Sequence, residues 1–213
     1  MNIINKKLSL EDFKAYINGF NFAPLNPTKI VLHHTWRPTT QEWQGQKSIN
    51  GLKSFYEGKG WSAGPHLFIA EDGIWLFSPM NLVGIHAGEG NTKSIGIEIV
   101  GDYDNQLWAG KTKENVIGTV KALMSKLGVK EDGIKFHRDY SSKSCPGNAI
   151  TKEWVLSQLK SDPALEKAIE EAQNVYDKAL EEANKSADAL SKAQAALALL
   201  KGKPIKKYII TAG

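Results

Sequence analysis

Apolar residues change their spacing several times along this chain, and each change marks an element. Phe13, Ile17 and Phe20 recur at helical steps, with Ser9 and Asp12 at capping-box spacing just ahead of them. The unbroken run at the head of Ile30 to Thr35 reads as a buried strand, ended by Arg37-Pro38. Helical steps return between Ser48 and Lys59 through Ile49, Leu52, Phe55 and Tyr56, and Gly60 suits the position past the end. His66 to Ala70 and Ile74 to Phe77 flank Glu71-Asp72-Gly73, a hairpin signal. Ile95 to Val100 is a further strand. Thr112 to Leu127 is an amphipathic helix closed by Gly128, and Ile134 to His137 is a last short strand. Strands mixed with helices in this way predict a three-layer α/β domain, a central mixed β-sheet flanked by helices.

Beyond Lys160-Ser161-Asp162-Pro163 the pattern is different. Small or apolar positions from Leu165 through Ile169, Ala172 and Tyr176 to Leu197 and Leu200 alternate steps of four and three. That spacing predicts a long helical, alanine-rich segment over 161–213, with a narrow seam suited to self-association or to a partner helix along 161–200. Folding back on its own domain satisfies the seam equally well. The expected organisation is therefore a domain over 1–160 followed by this helical segment.

Composition sharpens the boundary. All five histidines and all six tryptophans lie before residue 155. Hydrophobic content of 41% and charged content of 23% belong to a globular chain, and a net charge of +4 is too small to argue for nucleic acid. It favours approach to anionic surfaces such as wall polymers. One cysteine forms no internal disulfide. The first residues lack the apolar stretch of a signal peptide, and no run reaches membrane-spanning length, so synthesis in the cytoplasm is expected.

Candidate chemistry sits in two short segments. Leu32-His33-His34-Thr35 carries paired histidines that strand alternation sends to opposite faces, so one of the two reaches a metal beside the strand. His137 and Cys145 lie eight apart in the second segment. Two imidazoles and a thiolate make a three-ligand zinc set with a tetrahedral position open for water, the mark of a hydrolytic site. Lys143, two residues before Cys145, is placed to stabilise an oxyanion. Glu98 is a carboxylate in an otherwise apolar strand, costly unless paired or poised for proton transfer. Trp36, Trp43 and Trp61 are candidates for stacking on sugar rings.

In this order, Leu32-His33-His34-Thr35, Gly64-Pro65-His66-Leu67-Phe68-Ile69, His86-Ala87-Gly88, Ser94-Ile95-Gly96-Ile97-Glu98 and His137 with Cys145-Pro146 resemble the zinc-dependent N-acetylmuramoyl-L-alanine amidases. That group includes bacteriophage T7 lysozyme and the peptidoglycan recognition proteins. The resemblance covers Thr28 to Leu159. It implies one zinc per chain, held by His33, His137 and Cys145, with His34 beside the metal or structural. It also implies Lys143 as catalytic lysine and Glu98 as general base. The base assignment follows a departure from the T7-type pattern, because Pro65 stands where T7-type members carry a tyrosine. His66, His86, Asn91 and Thr92 are implied to bind substrate or to support the metal ligands.

The activity implied is cleavage of the bond between N-acetylmuramic acid and L-alanine in peptidoglycan. A phage endolysin reaching the wall after holin-type release is the expected setting. A host autolysin or recycling amidase with the same chemistry, or a binding module without turnover, are the alternatives.

Overall fold

A computed structural model describes residues 1–160 and, beyond them, only 171–172, 174–175, 178 and 195–199. The chain divides into two units, Met1–Leu159 and Lys160–Gly213. In the second, the described positions have helical backbone. Most of the seam read from the sequence lies outside the described residues. Among the described residues no helix is long and apolar enough to cross a membrane.

The first unit is built on a six-stranded mixed sheet. Its strands are β1 (Lys6–Leu8), β2 (Lys29–His34), β3 (Leu67–Ala70), β4 (Gly73–Leu76), β5 (Ser94–Ile99) and β6 (Ile134–Phe136), in the order β1-β4-β3-β5-β2-β6. The hairpin β3–β4 and the edge pair β1–β4 are antiparallel, while β3–β5, β5–β2 and β2–β6 are parallel. Parallel strands covered on both faces carry continuous apolar runs, and Ile30, Val31 and Leu32 of β2, between β5 and β6, are all fully buried.

Side-chain alternation sorts the two faces. Ile30, Leu32, Leu67, Ile69, Ile74, Leu76, Ile95 and Ile97 pack with Phe13 and Ile17 of α1 (Leu10–Asn18) and Val116, Val120 and Leu123 of α3 (Gly110–Leu127). Phe68, Trp75 and Phe77 face the other way, onto Ile49, Leu52 and Tyr56 of α2 (Gln46–Gly58). Each fully buried side chain of this size contributes about 1.5–3 kcal/mol of transfer free energy. The central mixed sheet flanked by helices is therefore the architecture the periodicities predict.

Local chemistry sets several boundaries. Ser9 caps α1, its Oγ accepting from the Asp12 amide at 3.1 Å. The helix stops at Asn18, so Phe20 lies past it, tilted against Tyr16 and edge-on to Phe22. Gly128 ends α3 in the left-handed region at φ 68°, with its amide bonded to the Met124 carbonyl. Two elements have no counterpart in the sequence reading. Strand β1 is short and lysine-rich, and its pairing with β4 supplies the order its own residues do not. Helix α4 (Lys152–Lys160) begins where Thr151 Oγ1 accepts from the Trp154 amide.

Candidate active site

The site forms at the carboxyl ends of β2 and β5, which run parallel in register with His33 opposite Glu98. His33 is 1% exposed, and its Nδ1 lies 3.8 Å from Cys145 Sγ and 3.9 Å from Glu98 Oε1. The His33 and His137 rings are 4.6 Å apart between centroids. One ligand atom each from His33, His137 and Cys145 falls within 4.8 Å of the others, so these residues could hold a metal ion. Residues more than 100 positions apart in sequence reach one point because β6 delivers His137 beside β2.

The loop carrying Lys143 and Cys145 is held by Arg138, a residue that motif reading passed over. Its guanidinium donates to the carbonyls of Ser144 at 3.0 Å, Gly147 at 3.2 Å and Ile150, and stands over the Phe136 ring. The Arg138 amide donates to the Cys145 carbonyl. From the other side, the His34 amide points at Cys145 Sγ at 3.4 Å. Cys145 is thus fixed from both flanks. The position of Arg138 next to His137 was its only sequence signal.

Electrostatics follow from burial. Desolvation holds His33 well below the usual histidine range, assisted by His86, His137, His34 and Lys143, and it lowers His137 as well. Both rings are therefore neutral, the form that ligates a metal. Burial and Glu98 push the Cys145 thiol up, an effect that a bound dication reverses by deprotonating its ligand. Glu98 is raised to about 8 by burial, with Lys143 opposing. Its Oε2 is buried and has no hydrogen-bond partner. An orphaned carboxylate oxygen beside two neutral imidazoles and a thiol fits a cation and a reacting water, and a purely structural role leaves it unexplained.

Around this cluster opens a cleft of about 540 Å³. Lys143, Glu98, His137 and Cys145 line it, with Trp36, Phe55, Tyr56 and Trp61 forming aromatic walls. Trp36 is 59% exposed and takes a left-handed backbone at φ 55°, strain that a bulky residue rarely carries. Phe55 is exposed too, with the Lys59 ammonium 4.6 Å from its ring centroid. Tyr56 stacks on Trp61 and reaches the cleft from α2, a role its helical spacing alone did not signal.

Several sequence candidates lie elsewhere. Trp43 is not at the cleft: its Nε1 donates to Asp72 and its ring packs edge-on to Trp75. His66 is fully buried, with Nδ1 accepting from the Gly96 amide and Nε2 bonded to the Leu82 carbonyl, so neither nitrogen is left for substrate. Asn91 and Thr92 do not border the cleft. The Asn91 Oδ1 accepts the amides of His86 and Ala87, and it shapes the loop around them. His34 lines the cleft, with Nδ1 accepting from the Tyr103 amide. His86 does border the cleft: it is 7% exposed, and its Nδ1 lies 3.0 Å from His33 Nε2.

The sequence profile of the N-acetylmuramoyl-L-alanine amidases matches residues 23–148, more than half of the chain. The chain belongs to this amidase family. Among solved members it is similar to the endolysin amidase LysCS of Clostridium intestinale, at 28% identity and TM-score 0.54, over 65% of this chain and 86% of that one. The amidase LysC of the same organism matches at 27% identity and TM-score 0.56, over 65% of this chain and 88% of that one. Peptidoglycan-recognition protein LB of Drosophila melanogaster is 27% identical over 135 residues, 58% of this chain and 56% of its own length. This chain thus spans about half the length of that relative.

Proposed function

We propose that this amidase hydrolyses the amide joining N-acetylmuramic acid to L-alanine in peptidoglycan, with one zinc ion held by His33, His137 and Cys145. The observation that carries the reading is the convergence of those three ligand atoms within 4.8 Å beside the unpartnered Oε2 of Glu98. Two nitrogen donors and one sulfur donor match the preferences of zinc and leave a coordination position unfilled by protein. When bound, the ion supplies Lewis-acid polarisation and lowers the pKa of water toward about 7. Family membership and the amidase relatives support the same chemistry.

The chain's own residues supply the rest. Glu98 Oε2 takes a proton from the attacking water and returns it to the departing nitrogen of L-alanine, yielding a free carboxylic acid and a free amine. Burial raises Glu98 into the range where both transfers are feasible near neutral pH. The Lys143 ammonium, at the cleft, offsets charge developing on the scissile carbonyl oxygen. Trp36, Phe55 and Trp61 offer apolar faces to the glycan and the peptide stem.

The setting we favour is an endolysin acting on the host wall after holin-type release. A second reading, a peptidoglycan-binding module without turnover, is favoured by Pro65 in the position where T7-type members carry tyrosine. Mass spectrometry of digested murein separates the two. New L-alanine amino termini that require zinc establish the amidase, while retention on murein with no new termini establishes the module.

A further inference from the structure

Four polar groups in a row run from the turn ahead of β5 to the candidate metal cluster: the Asn91 carbonyl, Ser94 Oγ, His86 and His33. We propose that Ser94 and His86 form a positioning relay that decides which nitrogen of His33 carries its proton, leaving Nδ1 bare toward Cys145 and His137. The proposal rests on the reading of His33 as a metal ligand.

The direction of the chain follows from counting protons. The Ser94 hydroxyl has one, and donates it to the Asn91 carbonyl at 2.9 Å. Toward His86 Nε2, 3.2 Å away, Ser94 can then only accept. His86 therefore carries its proton on Nε2, and its bare Nδ1 accepts from His33 Nε2 at 3.0 Å. A neutral His33 with its proton on Nε2 has a lone pair on Nδ1, the atom 3.8 Å from Cys145 Sγ. Reversing any one bond would place two protons, or none, between neighbouring atoms in a buried chain.

The relay is held rigidly. Ser94 is fully buried, and His86 is 7% exposed. The Asn91 Oδ1 accepts both the His86 amide at 3.0 Å and the Ala87 amide at 2.7 Å, so one residue anchors both ends of the relay. Gly96 lets the His86 ring lie against β5; a Cβ there would come within 2.5 Å of the ring. A ligating histidine ordinarily gives its second N–H to a carboxylate, carbonyl or water. Here it gives that proton to another histidine, whose own tautomer must first be set, and Ser94 sets it.

The test uses the full-length chain with zinc as the probe. In the metal-free wild type, nitrogen NMR should show His33 protonated on Nε2. Chelator competition should show zinc bound about 10–100-fold more weakly in His86→Leu, the range for lost outer-shell partners. Ser94→Ala, which keeps the ring but frees its tautomer, should show a smaller loss together with a mixed His33 spectrum. His86→Asn should recover most of the affinity, because its Oδ1 can accept where Nδ1 did. A His33 protonated on Nδ1 in the wild type overturns the relay, as does unchanged affinity in both Ser94→Ala and His86→Leu. If the wild type binds no zinc, the metal-site reading fails instead, and the NMR result still decides the relay. Should His86→Leu fail to fold, the wild-type spectrum and Ser94→Ala decide it.

Discussion

Cys145 concentrates the chemistry of the site in one atom. A serine in its place keeps the shape but substitutes a hard, weakly acidic hydroxyl for a soft thiolate, so Cys145→Ser should lose both zinc and turnover. Metal content measured alongside murein digestion checks this, and full activity in the variant would remove the ligand assignment. On the proposed mechanism, Glu98→Gln preserves volume while removing the group that carries the proton. Zinc should stay bound while kcat falls by roughly 10²–10⁴, the usual worth of general acid–base catalysis. His66 makes a prediction about stability. Its folded pKa is lowered to about 4 from 6.5, so the unfolded chain takes up a proton first as pH falls. The stabilisation from its neutral ring is whole above 6.5 and is lost between 6.5 and about 4, amounting to roughly 3 kcal/mol. Urea titrations at both ends of that window should show a larger acid loss in wild type than in His66→Gln. At this scale the sequence was informative about residue type but not about environment. Glu98 in an apolar strand was a visible anomaly, whereas nothing in the letters separated His66, bonded to backbone groups, from His86, bonded to the His33 ring.

Elements carry the site through a few local devices. Ser9→Ala removes the cap of α1 and should cost about 1 kcal/mol, read as a fall in thermal midpoint with no change in zinc affinity. Arg138→Ala should act differently. It releases three carbonyls of the loop between His137 and α4, and charge-assisted bonds of this kind are worth about 1.5–3 kcal/mol each. Zinc should then dissociate faster, because Cys145 loses its support, and stopped-flow exchange with a chelator measures that directly. The long periodic elements were legible: α1, α2, α3, the β3–β4 hairpin, β2 and β5 all follow from spacing and caps. Strand β1 was not, since Lys6-Lys7-Leu8 has no pattern of its own and is ordered by antiparallel pairing with β4. Helix α4 left a fainter trace, Thr151 ahead of a short apolar face, and a capping search would have found it.

For the whole molecule, every residue assigned a role at the site lies between His33 and Cys145. A chain ending at Lys160 should therefore bind zinc and cut murein as the full chain does. Sedimentation of both forms tests the remaining expectation, self-association through 161–200, which equal monomer masses would reject. The sequence by itself determined the element types, the α/β class and a short set of metal-ligand candidates, because periodicity and the donor chemistry of His and Cys are local properties. Only the tertiary structure decided which candidates meet. Parallel pairing of β2 with β5 and β6 sets His33 across from Glu98 and brings His137 and Cys145 alongside. Strand register and burial are collective outcomes of the packed sheet, and no single segment encodes them.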